Sequence, residues 1–162
     1  MPVQLKDTLV VGISSRALFD LREEDEVFRD QGLEAYRAYQ LEHENRLLKP
    51  GTGFRLVRAI LGLNAGHDSR RAEVVIMSRN STETSLRIFN SIEHYGLDIE
   101  RAALSGGAPL AAYLQAFEVD LFLSQYEDDV QAALSSGIGA AILYDQTSAG
   151  EGAVDQIRIA FD

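Results

Sequence analysis

Residues 8–13, Thr8-Leu9-Val10-Val11-Gly12-Ile13, form an apolar, largely β-branched run that stops abruptly at Ser14-Ser15-Arg16. A strand with apolar side chains at successive positions is buried on both faces, and such strands belong to parallel sheets covered by helices. A second run of the same character, Glu73 to Met77 (EVVIM), breaks at once into Ser78-Arg79-Asn80-Ser81. Shorter strands are expected at Arg101 to Leu104, Val119 to Leu123 and Ala140 to Leu143. Each is followed or preceded by a segment with helical spacing.

The first such segment is long. From Arg22 to Glu44 the residues Val27, Leu33, Tyr36, Tyr39 and Gln40 recur among charges at roughly helical spacing, and Gly32 divides the stretch into two pieces. Lys49-Pro50-Gly51-Thr52-Gly53 is turn chemistry, after which Phe54, Leu56, Val57, Ile60 and Leu61 mark a helix ending near Gly62 to Gly66. Asn80 or Ser81 is expected to cap a helix running through Glu93, with Leu86, Ile88, Phe89 and Ile92 facing inward. Pro109 suits the first turn of a further helix. Glu127, Asp128 and Asp129 suit the first turn of the last one, which Gly137 closes. This alternation implies an α/β fold: a three-layer sandwich with a mostly parallel sheet, a helical excursion after the first strand, and a ligand crevice at the carboxyl ends of the strands.

The chain has 162 residues, 46% of them hydrophobic, enough for one compact domain. With 15 Lys and Arg against 25 Asp and Glu, the net charge is -10, a field that repels nucleic acid and anionic membranes. Cysteine is absent, which excludes disulfides, thiolate metal sites and a cysteine nucleophile, and makes the cytoplasm the default compartment. No stretch approaches the ~20 apolar residues of a membrane span.

The polar clusters all fall at expected strand ends. Ser78, Arg79 and Asn80 combine a hydroxyl, a guanidinium and a helix start, the grouping a phosphate favours, although a plain capped turn looks the same in sequence. Ser14, Ser15 and Arg16 have the same two readings. Gly106-Gly107 either admits a ligand to the backbone or marks a tight turn. Glu127, Asp128 and Asp129 offer oxygen ligands to magnesium or simply complement a helix dipole. His43, His67 and His94 have no metal-site spacing. Tyr36 and Tyr39 suit packing better than base stacking. Gly-x-Ser-x-Gly is absent, so nucleophilic serine hydrolysis is not indicated.

Longer strings add a resemblance. SSRALFD (Ser14 to Asp20), GLEAYRAYQLEHE (Gly32 to Glu44), LLKPG (Leu47 to Gly51), SRNS (Ser78 to Ser81), RIFNSIEHYGLDI (Arg87 to Ile99) and VDLFLS (Val119 to Ser124) together resemble the cytosolic 5'-nucleotidase type I family, over nearly the whole chain. The resemblance implies a HAD-like (Rossmann-like) phosphatase fold and hydrolysis of nucleoside monophosphates, of the AMP and IMP class, to nucleoside and phosphate with Mg2+. A cytoplasmic enzyme that assembles as a homo-oligomer is expected, and the acidic charge balance argues against a nucleic-acid or membrane partner.

Phosphatases of that superfamily carry an Asp-x-Asp after the first strand, a hydroxyl after the second, a lysine, and an acidic pair after the fourth. Aligning Leu18-Phe19-Asp20 puts either Ile13 and Ser15 or Ser14 and Arg16 at the two aspartates, and neither choice supplies a carboxylate. Ser78 matches the phosphate-binding hydroxyl. The only lysines are Lys6 and Lys49, and Gln125 stands at the first metal carboxylate, leaving Asp129 as a weak metal ligand. Residues 1–145 are therefore expected to be a degenerate HAD-like domain, with Ser14, Ser15, Arg16, Ser78, Arg79 and Asn80 as a degenerate phosphate site. Residues 146–162 are expected to be a linker and the first strand of a missing carboxy-terminal catalytic half. In the complete protein Asp162 would be the nucleophile, and this segment alone would be inactive. The rival expectation is a non-catalytic nucleotide- or anion-binding regulatory or assembly module.

Overall fold

Strand β1, Leu9–Ser14, is the axis of the molecule, with five of its six residues buried. A computed structural model describes residues 7–82 and 85–144. After β1 come α1 (Ser15–Leu18), β2 (Phe19–Asp20), α2 (Arg22–Glu42), β3 (Lys49–Pro50) and α3 (Phe54–Gly62). Next are β4 (Ala72–Ser78), α4 (Leu86–His94), β5 (Arg101–Leu104), α5 (Ala111–Ala116), β6 (Leu121–Ser124), α6 (Glu127–Ser135) and β7 (Gly139–Ile142). The main sheet has five parallel strands in the order β5-β4-β1-β6-β7. The expected parallel α/β sandwich is thus what the chain forms, in a Rossmann-like layout consistent with a HAD-like fold.

Because side chains alternate across a strand, the unbroken apolar runs feed two separate cores. Val11, Ile13, Val74 and Ile76 face one side and meet Val57 and Ile60 of α3 and Ile88 and Ile92 of α4. Val10, Val75, Met77 and Phe122 face the other and meet Leu114 of α5 and Ala133 of α6. From β1 the chain steps outward through β4 to β5, then returns to β6 on the opposite flank. That reversal beside β1 is a topological switch point, where loops diverge and leave a crevice.

Several details differ from expectation. A small antiparallel hairpin pairs Phe19 with Pro50 and Asp20 with Lys49. It closes over Gly51, whose missing Cβ would lie 2.8 Å from the Phe19 carbonyl carbon and 2.9 Å from the Ala17 oxygen. Helix α2 has its break at Gly32, with φ 83°, as expected, and the residues it buries are Gln40, one of the periodic set, and Glu24, which is not. Helix α4 begins at Leu86 with Ser85 at its N-cap position, so neither Asn80 nor Ser81 caps it. Leu86 and Phe89 are exposed, while Arg87 and Ser91 are buried beside Ile88 and Ile92.

The reason is polar docking. Arg87 forms a buried ion pair with Glu24 and donates from Nε to the Arg46 carbonyl at 2.9 Å. Ser91 Oγ accepts the Leu48 amide at 2.9 Å, and Asn90 donates to the Glu44 carbonyl at 2.8 Å. Helix α4 therefore holds the returning end of the excursion by hydrogen bonds, so its inward face is only half apolar. The expected linker and strand at 146–162 lie outside the described residues.

Candidate functional site

Parallel strands β1, β4 and β6 end in Ser14, Ser78 and Ser124, all buried. Each hydroxyl oxygen accepts a backbone N–H just ahead of it: Ala17 to Ser14 at 3.2 Å, Asn80 to Ser78 at 3.1 Å, Tyr126 to Ser124 at 3.1 Å. Short side-chain-to-backbone bonds of this kind turn the chain off the strand direction. Ser15 adds a fourth hydroxyl, 3.2 Å from that of Ser78 across the sheet. Gly106 and Gly107, at φ 60° and 99°, donate their N–H groups to the carbonyls of Asn80 and Arg79 at 3.2 and 2.7 Å. The paired glycines thus make a turn that ties two loops together, and their amides are already spent.

Above these strand ends lies a cavity of about 620 Å³. Its floor carries Ser14, Ser15, Ser78 and Asn80, and its roof is the excursion helix, through Phe28, Leu33 and Tyr36. The Phe28 and Tyr36 rings meet edge to face with centroids 5.8 Å apart. Tyr36 reaches down to donate to Asn80 Oδ1 at 3.3 Å, joining roof to floor. Two apolar roof residues remain open: Phe28 is 51% exposed and Leu33 49%.

Charges in the cavity come in pairs. Arg16 forms an ion pair with Asp25, donates to the Tyr126 hydroxyl at 2.6 Å and lies 5.4 Å from that ring's centroid. Burial opposes its charge, but the hydrogen bonds and attraction from Tyr126 and Asp25 outweigh it and leave the guanidinium pKa raised. Burial pushes the Asp25 carboxyl above its ordinary range; attraction to Arg16 opposes that shift, and repulsion from Glu24 adds to it. On the opposite wall Arg79 forms an ion pair with Asp129, whose side chain is 4% exposed against 48% for the arginine. Asp129 sits in the first turn of α6, where the helix dipole also favours a carboxylate.

The donor set does not fit magnesium. Mg2+ asks for near-octahedral oxygen ligands, from one or two carboxylates with water or phosphate. The Asp129 carboxylate faces a guanidinium instead, and among the described residues no three His, Asp or Glu side chains gather around a common point.

All of Ser14, Ser15, Arg16, Ser78, Arg79, Asn80 and Asp129 line this one cavity, so the strand-end clusters do converge. Asp162 lies outside the described residues. His67 and His94 are exposed, and His43 stacks on Tyr39 with centroids 4.1 Å apart. Phe28, Asp25 and Tyr126 are among the contributors that escaped sequence reasoning. Phe28 and Asp25 lie on the excursion, whose cavity-facing side is read only once Gly32 has set the direction of its two pieces. Tyr126, directly after Ser124-Gln125, was open to notice as part of a strand-end cluster. Among the described residues no helix is long and apolar enough to cross a membrane.

A family model described as 5'-nucleotidase matches residues 1–162. Cytosolic 5'-nucleotidase 1B of Homo sapiens is 34% identical over 167 residues, an alignment covering 99% of this chain and 27% of that protein. The chain thus spans about a quarter of the length of the curated relative it matches.

Proposed function

The chain belongs to the 5'-nucleotidase family, and from that premise we propose that the protein containing it is a cytoplasmic, magnesium-dependent hydrolase of nucleoside monophosphates. Its substrates are of the AMP and IMP class. The segment is the part that supports the fold without doing the chemistry, and Asp162 opens the carboxy-terminal part that does. Contact with that carboxy-terminal part, and assembly as a homo-oligomer, belong to the same proposal.

One observation carries the division of labour: the acid buried at the strand ends, Asp129, is engaged by Arg79. In-line phosphoryl transfer to an enzyme group needs a carboxylate nucleophile, a proton donor for the leaving alkoxide, and cations to offset the phosphate. At the end of β1, where a nucleophile would stand, Ile13, Ser14, Ser15 and Arg16 offer no carboxylate. Lys49 lies in the β2–β3 hairpin, away from the crevice. The residues present can shape a cavity and hold a ligand by hydrogen bonds. They lack the charge distribution for transfer.

The test is phosphate release from AMP and IMP with magnesium. The 162-residue chain is expected to give none. A longer protein that continues past Asp162 is expected to turn over and to lose activity in Asp162→Asn. Turnover by the 162-residue chain that disappears in Asp129→Asn overturns the proposal.

A further inference from the structure

The cavity at the strand ends has balanced cations and an aromatic roof. We infer that it binds a neutral nucleoside in preference to a phosphate. The choice of nucleoside as ligand class rests on the proposed reaction, which releases one; the physical case rests on the cavity itself.

Charge comes first. Three arginines line the cavity, and each has a carboxylate partner: Arg16 with Asp25, Arg79 with Asp129, and Arg37 with Glu34 at 3.1 Å. Asp128 also lines it and forms no ion pair among the described residues. A phosphate monoester brings a charge of about -1.5 to -2 at neutral pH. It could pair with Arg16 or Arg79 only by drawing that arginine from its carboxylate, and Asp129, with 4% of its side chain exposed, would then be buried without a partner, while the exposed Arg37–Glu34 pair offers little fixed positive charge. A neutral ligand displaces neither Arg16 nor Arg79.

The roof supplies the attraction. Phe28, half exposed, and Leu33 stand over the cavity mouth, and Tyr36 braces Phe28 from its edge. One face of Phe28 can therefore take a flat ring while its orientation is held. Stacking of a base on an aromatic side chain tolerates any base, because every base presents a π face. Buried Leu110 and Met77 give the cavity an apolar wall.

The floor supplies neutral polar partners. Because the Ser14 and Ser78 oxygens already accept backbone N–H groups, their hydroxyl hydrogens are left to donate, with Ser15 and Ser78 sharing one bond between them. Asn80 receives Tyr36 on its oxygen, and its amide nitrogen makes no hydrogen bond among the described residues. Hydroxyls and an amide suit ribose hydroxyls and ring nitrogens. A volume of about 620 Å³ falls within the usual range for small-molecule sites.

Calorimetric titration of the 162-residue chain decides the matter, with adenosine, inosine, AMP and inorganic phosphate as the probes. Adenosine or inosine is expected to bind, AMP no tighter than adenosine, and inorganic phosphate not at all. Phe28→Ala is expected to weaken nucleoside binding roughly 10-fold, and Phe28→Tyr to restore it. Phe28 is exposed, so neither change should disturb folding, which thermal unfolding checks. Absence of nucleoside binding, binding of inorganic phosphate, AMP binding tighter than adenosine, or indifference to Phe28→Ala each overturns the inference. Adenosine and inosine carry no phosphate to release, so this result stands apart from the turnover assay: hydrolysis of AMP by the chain defeats the proposed function alone.

Discussion

Glu24 at the start of α2 and Arg87 on α4, each with a side chain 3% exposed, form an ion pair that pins the excursion to the body of the domain. Arg87→Met strands the Glu24 carboxylate among buried groups and is expected to cost about 3–5 kcal/mol. The double change Glu24→Leu with Arg87→Met is expected to recover most of that, since apolar pairs of similar size often replace buried ion pairs at little cost. Urea unfolding of the two single variants and the double variant measures the coupling.

The Arg79–Asp129 pair is lopsided, one partner near solvent and the other buried. Arg79→Ala leaves a buried carboxylate without its partner and is expected to cost about 1–3 kcal/mol. Asp129→Ala frees an exposed arginine into water and is expected to cost less. Equal losses in chemical denaturation would contradict the burial that separates the two residues.

Gly51 is fixed by close approach to backbone atoms, which cannot rotate aside as a side chain can. Gly51→Ala is therefore expected to destabilise by about 1–3 kcal/mol and to open the β2–β3 hairpin. Gly62, last in α3, has nothing within 4 Å of its would-be Cβ. Gly62→Ala is expected to be neutral or to stabilise by up to about 1 kcal/mol. Melting temperatures of the two variants should move in opposite directions or differ plainly in size.

Asp25 and Asp20 make opposite contributions to acid stability. Burial raises the Asp25 pKa above its unfolded value, so the folded state holds that proton more tightly. Its stabilising effect is complete below the unfolded pKa and is lost as pH rises through the folded one. Hydrogen bonds from Arg22 outweigh burial and lower the Asp20 pKa, so its contribution is present above the unfolded pKa and fades as pH falls through the folded one. Unfolding measured across the acidic range should show the wild type losing stability relative to Asp25→Asn as pH rises, and gaining relative to Asp20→Asn.

Legibility followed the physics of each segment. The runs at Leu9–Ser14 and Ala72–Ser78 announced a buried parallel sheet because apolar side chains on both faces leave no other home for them. The strand-end serines were equally plain, since a polar cluster straight after such a run must lie at the sheet's rim. What stayed hidden was the excursion. Its periodic residues marked a helical face, and of these Gln40 is buried while Leu33 stands open over the cavity beside Phe28; Glu24, outside the periodic set, is the other buried one. Helical spacing reports that a face exists, and only the tertiary partner Arg87 decides which face turns inward. Arg79 and Asp129 were each visible, but their 50-residue separation in sequence concealed that one neutralises the other.

The four serine hydroxyls at the rim are held by backbone geometry and by one another, whereas the rings above them ride on a separate loop of chain tied down at Glu24, Asp25, Tyr36, Glu44 and Arg46. Selectivity and solidity are thereby written in different places. Transplanting the excursion of another relative onto this sheet should exchange what the protein grasps while leaving the platform beneath untouched, a modular economy that a site built wholly from core residues does not permit.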